Sequence, residues 1–379
     1  MNVTIPVGSF RRAVQLAQNL VDKKSTMPVL QNLLLETSGS SLVVRAMDSQ
    51  MGTEIRVPCE VIAPGGVTIS GKRLSDVLKV LGDGALRMAV GDDLSLVLSY
   101  EAGRYRLFGY SPEVFPPLVQ VASGTTFPVR KSALQELIAR TEYAVARQDG
   151  AFTMQGTLVE IAGTAITMIG TDGHRLALST TELEDTGTKT SCIIPIKAIG
   201  QLRTMLTETG DEIRIGVSAT QASFEGEDIL FVTRLLEGEY PPYKGVIPRG
   251  TQHRLEIEKE QLVAGIRRVS ALSADRAPQI KLMWGSDRMA LRCEDIELGE
   301  AEDSVPAVYA GMEMTMLMNA SYVLDALSGC RSERVELIME GPEQPCLCRA
   351  VGDETYLGIV MPLELEQGEE TYSGDYDYD

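Results

Sequence analysis

Hydrophobic and polar positions alternate along this chain in two rhythms, and the slower one predicts helices. Phe10, Ala13, Ala17, Leu20 and Val21 are spaced by three and four, as the buried face of a one-sided helix requires. The spacing returns at Leu134, Leu137, Ile138 and Thr141, and again at Leu262, Ile266, Val269 and Leu272. A short strand-like run precedes each helix: Val3-Thr4-Ile5, Phe127-Pro128-Val129 and Leu255-Glu256-Ile257. A second helix follows each time, marked by Leu74, Val77 and Leu78, by Ile199, Leu202 and Leu206, and by Val323, Leu324 and Leu327. Leu74, Ile199 and Val323 stand 125 and 124 positions apart, so the chain repeats one unit of about 125 residues three times.

The faster rhythm, with a period near two, fills the space between the helices with strands. Examples are Leu42-Val43-Val44, Ile166-Thr167-Met168-Ile169 and Met289-Ala290-Leu291, each followed by an aspartate: Asp48, Asp172 and Asp295. Two helices per unit are too few to cover both faces of a parallel sheet. Antiparallel sheets with helices on one side fit, which is an α+β class. Turn-prone stretches at Ala122-Ser123-Gly124 and Pro248-Arg249-Gly250 place the expected domains at 1–122, 123–249 and 250–365. The last stretch, 366–379, is acidic and rich in Gly and Tyr, the composition of a disordered tail.

Charge changes the picture. The chain of 379 residues has a formal net charge of −18, which by itself argues against nucleic acid. Its distribution argues the other way. Residues 8–24 carry a net +3, segments 71–81, 129–148, 195–206 and 259–277 carry +2 each, and 319–331 is neutral. The six helical segments therefore total +11 and everything else −29. If the helices share one surface, that surface attracts phosphates and the remainder repels them. Arg11 and Arg73 are among its candidate DNA-facing cations. No helix-turn-helix, zinc finger or aromatic stacking stripe is present, and aromatic content is 5%, which points to backbone contact without reading of bases.

Enzyme chemistry finds little support. There is no Gly-rich phosphate loop, and two histidines, His174 and His253, are too few for a histidine-rich metal site. Asp172, His174 and Ser179 form the only imaginable hydrolytic set, and they lack the context of a nucleophile elbow. No catalytic residue, cofactor or metal is expected. Cys59, Cys192, Cys293, Cys330, Cys346 and Cys348 include no Cys-x-x-Cys pair and read as buried thiols in a reducing compartment. Without a signal-like start or an apolar run of roughly 20 residues, the expected location is the cytoplasm, with no membrane partner.

Several runs resemble the bacterial DNA polymerase III beta subunits. They are Thr26-Met27-Pro28-Val29-Leu30, Asn32 to Leu35, Thr171-Asp172-Gly173-His174-Arg175-Leu176-Ala177 and Arg234-Leu235-Leu236-Glu237-Gly238. Tyr240-Pro241-Pro242-Tyr243, Val246-Ile247-Pro248, Asn319 to Asp325 and Val360-Met361-Pro362 complete the series, in the family's order. The resemblance implies a sliding clamp: a head-to-tail homodimer whose six domains close a ring around duplex DNA, independent of sequence. It implies that the helices line the hole, with Lys24, Gln148 and Lys197 at DNA-facing positions. The dimer contact would join an edge carrying Arg104 and Arg106 to one near Leu272, Glu297 and Glu300, with Glu302 and Asp303 alongside.

The family also has an apolar cleft for short motifs of the Gln-Leu-x-Leu-Phe kind. These come from the polymerase III alpha subunit, clamp-loader subunits and repair proteins. The matching positions from the second repeat are Met154, Thr171, Gly173, His174, Arg175 and Leu176, followed by Pro241 and Val246. From the third repeat come Asn319, Tyr322, Val360, Met361, Pro362 and Leu363. Met and Leu supply an adaptable apolar pocket, and Arg175 and Tyr322 supply polar anchors. This chain departs from the family at Gly245 and Ala277 near the cleft, at Ile196 on a pore-side helix, and in its acidic tail. A specialised relative that does not bind the replicative motif is the alternative these departures leave open.

Overall fold

The computed structural model describes residues 1–21, 27–118, 126–147, 152–184, 186–250, 253–273, 278–295 and 297–364. The first repeat comprises β1 (Asn2–Pro6), α1 (Val7–Gln18), β2 (Asn32–Ser38), β3 (Ser41–Met47), β4 (Met51–Pro58), β5 (Glu60–Ala63), β6 (Gly66–Ser70), α2 (Gly71–Val80), β7 (Ala85–Val90), β8 (Ser95–Tyr100) and β9 (Gly103–Tyr110). The second comprises β10 (Thr126–Arg130), α3 (Lys131–Thr141), β11 (Gly156–Ala162), β12 (Ala165–Thr171), β13 (Arg175–Glu182), β14 (Lys189–Pro195), α4 (Ile196–Met205), β15 (Glu212–Val217), β16 (Gln221–Glu225) and β17 (Ile229–Arg234). The third comprises β18 (His253–Glu258), α5 (Lys259–Ser270), β19 (Gln279–Trp284), β20 (Arg288–Asp295), β21 (Gly299–Tyr309), β22 (Met314–Asn319), α6 (Ala320–Gly329), β23 (Arg334–Met339), β24 (Cys346–Ala350) and β25 (Tyr356–Val360). The α+β class and its two helices per repeat follow the periodicity closely.

The helix ends differ from the apolar spacing. That spacing runs on to Val21, Leu206 and Leu272, whereas the helices stop at Gln18, Met205 and Ser270. After α1, Leu20 N–H donates to Ala17 O at 3.1 Å and Val21 N–H to Gln18 O at 3.2 Å. These are three-residue closures, so the last apolar side chains enter the core from a tightened turn. Leu20 and Val21 are buried nonetheless.

By contact density the chain falls into two compact units. One gathers Met1–Glu142, Ala151–Met168 and Thr180–Tyr240, and the other Tyr143–Gly150, Ile169–Ser179 and Pro241–Asp379. In the first, an antiparallel sheet runs β10-β15-β16-β17-β4-β3-β2-β6-β9-β8-β7-β1-β5. It joins the first two repeats because β17 adds to the edge of β4, pairing Thr233 with Met51 and Ile229 with Ile55. In the second, the order is β25-β24-β23-β18-β21-β20-β19-β22, and the Arg175–Ser179 part of β13 pairs with β25.

Packing repeats with the chain. Phe10, Leu74 and Leu78 are fully buried in the first repeat, Leu134, Ile138 and Ile199 in the second, and Leu262, Ile266 and Leu327 in the third. Each such side chain contributes roughly 1.5–3 kcal/mol on leaving water. All six cysteines are free thiols, five of them buried. Burial pushes Cys192 and Cys346 up to about 12. Among the described residues no helix is long and apolar enough to cross a membrane.

Two polar devices also recur in threes. In each repeat a cation near the start of the first helix reaches the far end of the second helix. Arg11 donates to the carbonyls of Leu78 (2.9 Å) and Leu81 (2.6 Å), Lys131 to Thr209 (2.9 Å), and Lys259 to Cys330 (3.1 Å). A helix end presents unsatisfied carbonyls and partial negative charge, so a cation there satisfies both. The three aspartates hold hairpin turns. Asp48 accepts from Gln50 N and Met51 N, Asp172 from His174 N and Arg175 N, and Asp295 from Glu297 N and Leu298 N. All six distances lie between 2.7 and 3.0 Å.

Candidate functional site: an arginine-centred cluster and two open sheet edges

In the second compact unit the turn after β12 presents the main cluster. Thr171 Oγ1 donates to Arg175 O at 2.7 Å and accepts from Gly173 N at 3.2 Å. Gly173 sits at φ +90°, a left-handed conformation that costs a side chain strain, so glycine suits the turn. Asp172 uses one oxygen for the turn and the other for Arg175 Nε at 3.0 Å. Arg175 Nη1 reaches Asp325 at 2.5 Å. Its guanidinium lies 4.3 Å from the centre of the Tyr322 ring and 5.6 Å from that of Tyr143. Two carboxylates and two aromatic faces thus hold one largely buried cation in a single orientation.

The surroundings fix those partners. Asn319 caps α6, accepting from Ser321 N at 2.9 Å and Tyr322 N at 3.3 Å, which positions the Tyr322 ring. Tyr143 and Tyr356 share a hydroxyl hydrogen bond of 2.8 Å, and Tyr356 donates to Ala326 O at 2.7 Å. Burial pushes the phenol of Tyr143 well up. The His174 ring stacks on Tyr322 with centroids 6.4 Å apart. Beyond β25 the chain stays pinned, because Met361 N–H donates to His174 O at 2.8 Å and Leu363 N–H to Leu317 O at 2.8 Å.

The structure brings Thr171, Gly173, His174, Arg175, Asn319, Tyr322, Met361, Pro362 and Leu363 into one neighbourhood, with Arg175 paired to Val360 across the strands. Leu176 and Val360 are core residues. Pro241 is half-buried, and Val246 is 37% exposed at the end of the 3-10 turn Tyr243–Val246. Met154 is half-buried in the turn Phe152–Gln155 and belongs to the first compact unit. A Cβ at Gly245 would meet nothing within 4 Å, so the backbone there leaves room for a larger side chain. Ala277 and the tail lie outside the described residues.

The hydrolytic set does not assemble. Asp172 contacts the backbone of His174 and the side chain of Arg175, and Ser179 is 1% exposed. The carboxylate holds a turn.

Of the DNA-facing candidates, Arg73 is exposed, and Lys197 reaches Asp48 at 2.7 Å while its side chain stays 63% exposed. Arg11 is half-buried and engaged with the end of α2. Lys24 and Gln148 lie outside the described residues.

Two strands keep an open edge over part of their length among the described residues. β9 pairs with β8 from Gly103 to Phe108 and with β6 only at Gly109 and Tyr110, leaving Gly103–Phe108 free on one side. Arg104 and Arg106 project there beside Phe108, which is 78% exposed. Asp93 contacts Arg106, and hydrogen bonds from Ser95 together with that guanidinium hold its carboxyl at about 2. β21 pairs with β20 from Gly299 to Pro306 and with β18 only from Ala307 to Tyr309. Arg292 gathers Glu294 (2.6 Å), Glu300 (2.5 Å) and Glu302 (3.3 Å), and Arg268 holds Asp303 at 2.6 Å. Glu297 is exposed, and Leu272 lies 3.7 Å from where a Cβ on Gly299 would stand. Unpaired edges are templates for another strand.

Sequence reasoning missed Asp325 and Tyr143 as partners of Arg175. Asp325 ends the run Asn319 to Asp325, but its reach across 150 positions has no local signal.

Comparisons with known proteins match all three repeats. Family models match residues 1–119 (DNA polymerase III beta subunit, N-terminal domain), 128–242 (central domain) and 244–364 (C-terminal domain). The beta sliding clamp of Pseudomonas putida is 28% identical over 370 residues, covering 96% of this chain and 100% of that protein. The crystal structure of the Pseudomonas aeruginosa DNA polymerase III subunit beta superposes with a TM-score of 0.92 at 28% identity, covering 96% of this chain and 100% of that one. A second structure of that clamp, bound to griselimycin, gives 0.91 at 28% identity with the same coverage.

Proposed function

This chain belongs to the DNA polymerase III beta subunit family, and from that premise we infer that it is a DNA sliding clamp, a processivity factor and not an enzyme. The observation that carries the reading is the run of three family domains along 1–364, with the Arg175 cluster drawing its residues from the second and third. In this reading two copies close head to tail, the edge of β9 on one adding to the edge of β21 on the other. Arg104 and Arg106 then meet Glu297 and Glu300 of the second copy in a heterologous contact that closes a ring. The domains follow the repeat, 1–122, 123–249 and 250–365.

The ring holds duplex DNA by topology. Arg73, Lys197 and Lys24 contribute an attraction screened beyond about 8 Å at physiological salt, weak enough to permit sliding, while Gln148 offers a neutral contact and Arg11, engaged with the end of α2, adds less. The cluster around Arg175, Met361 and Leu363 receives short apolar motifs from the polymerase III alpha subunit, clamp-loader subunits and repair proteins in the cytoplasm. Pro241 and Val246 border it, and the family resemblance adds Met154. A separate ATP-driven loader opens the ring.

The test is the affinity of the full chain for a fluorescent Gln-Leu-Asp-Leu-Phe peptide. A Kd near 1 µM, about −8 kcal/mol, that weakens in Met361→Ala supports the replicative reading. A chain ending at Leu365 that binds more tightly assigns the tail a covering role. No binding by either length favours the specialised relative.

A further inference from the structure

The junction between β13 and β25 has a counterpart in the first compact unit. There β17 adds to β4 as β25 adds to β13: Thr233 pairs with Met51 where Val360 pairs with Arg175, and Ile229 with Ile55 where Tyr356 pairs with Ser179. The chain leaves both strands along the same path. Arg234 N–H donates to Gln50 O at 2.8 Å, as Met361 N–H does to His174 O at 2.8 Å. Leu236 N–H donates to Ile193 O at 2.9 Å, as Leu363 N–H does to Leu317 O at 2.8 Å. Asp48 holds the first turn as Asp172 holds the second. The linkers match as well, Phe115-Pro116-Pro117-Leu118 against Tyr240-Pro241-Pro242-Tyr243.

A groove of about 510 Å³ opens at this counterpart, lined by Gln50, Phe152, Thr220, Gln221, Arg234, Leu235, Leu236 and Glu237. That volume is within the range of ligand sites, roughly 300–1,000 Å³. Phe152 is 61% exposed, a large apolar ring left in water beside two half-buried leucines. Arg234 is exposed and has no side-chain ion pair or hydrogen bond among the described residues. It occupies the position that Met361 holds at the other junction.

We infer that this groove is a second docking site for a short extended peptide, one that carries an acidic residue between apolar side chains. The leucines and Phe152 take the apolar groups, the amides of Gln50 and Gln221 take backbone groups, and Arg234 takes the carboxylate. The inference rests on reading the Met361 junction as a peptide cleft, since the shared backbone is the reason to expect the shared class of ligand. The selectivity differs: Arg234 favours an acid, with Glu237 in the same lining setting how far from Arg234 that acid can sit, where Met361 accepts any flexible apolar contact.

The test is photo-crosslinking of the full chain with Gln-Leu-Asp-Leu-Phe carrying a diazirine leucine, followed by mass mapping. Two labelled tracts are expected, one around 356–364 and one within 152–155 or 220–237. Arg234→Glu should lower the second label at least tenfold without changing the first, and Gln-Leu-Lys-Leu-Phe should restore it on that variant. Met361→Ala should show the opposite pattern. Label at the first tract alone, at peptide concentrations that saturate it, overturns the inference and leaves the cleft standing. Label at neither tract overturns both, and label at the second alone supports the groove and overturns the cleft.

Discussion

The two strand junctions have one backbone and two chemistries. At the first, the position opposite the incoming strand is Met51, 4% exposed and packed in the core. At the second it is Arg175, held by Asp172, Asp325, Tyr322 and Tyr143. Strand addition builds the joint through main-chain hydrogen bonds, which any sequence can supply. What each joint does then depends on a few side chains at fixed register positions. A repeat protein can therefore keep its architecture while it varies its sites one residue at a time.

The sharpest way to break this comparison is to truncate the central residue of each joint. Arg175→Ala strands the Asp172 and Asp325 carboxylates, and should cost about 3 kcal/mol in stability and more than tenfold in affinity for Gln-Leu-Asp-Leu-Phe. Met51→Ala should cost roughly 2–4 kcal/mol by leaving a cavity, with peptide affinity at the Met361 cleft unchanged. Urea unfolding and fluorescence anisotropy on both variants would separate the effects. Equal peptide losses would mean the two joints are not chemically distinct.

Asp48→Ala comes next. It removes two turn hydrogen bonds and the 2.7 Å contact with Lys197, whose exposure limits the ion pair's worth. A loss of about 2 kcal/mol is expected, read as a lower urea midpoint. A loss below roughly 0.5 kcal/mol would show that the turn does not need its aspartate.

Met361→Ala should weaken the peptide about tenfold, near 1.4 kcal/mol, and change stability little because the side chain is half-buried. Smallest is Gly245→Arg, where open space admits the side chain. It should leave the melting temperature unchanged and tighten the acidic peptide two- to threefold, consistent with a rim charge worth about 0.5 kcal/mol.

The helices and the three aspartates were legible because their signals are local: a spacing of three and four, and an acid after an apolar run. The joints were not, since pairing Thr233 with Met51 depends on chain contacts 182 positions apart. Arg11, Lys131 and Lys259 were legible only as charge. The carbonyls they satisfy come from a second helix roughly 70 positions on, so counting cations overstated how many face outward. The proposed cleft rests on family resemblance through Thr171 to Leu176 and Val360 to Leu363. Residue spacing alone would have left Arg175 an ordinary surface cation and Leu176 an ordinary core residue.

A sliding clamp differs from every ordinary DNA-binding protein in one measurable respect, which is that its hold depends on the DNA being closed. The decisive measurement is retention of the labelled protein, loaded by its clamp loader and ATP, on a nicked circular plasmid before and after a single restriction cut. A topological ring stays on the circle through a wash at physiological salt and runs off once the plasmid is linear. Equal release from circle and line would contradict it, and would mean that the basic helix faces bind DNA only by ordinary electrostatic contact.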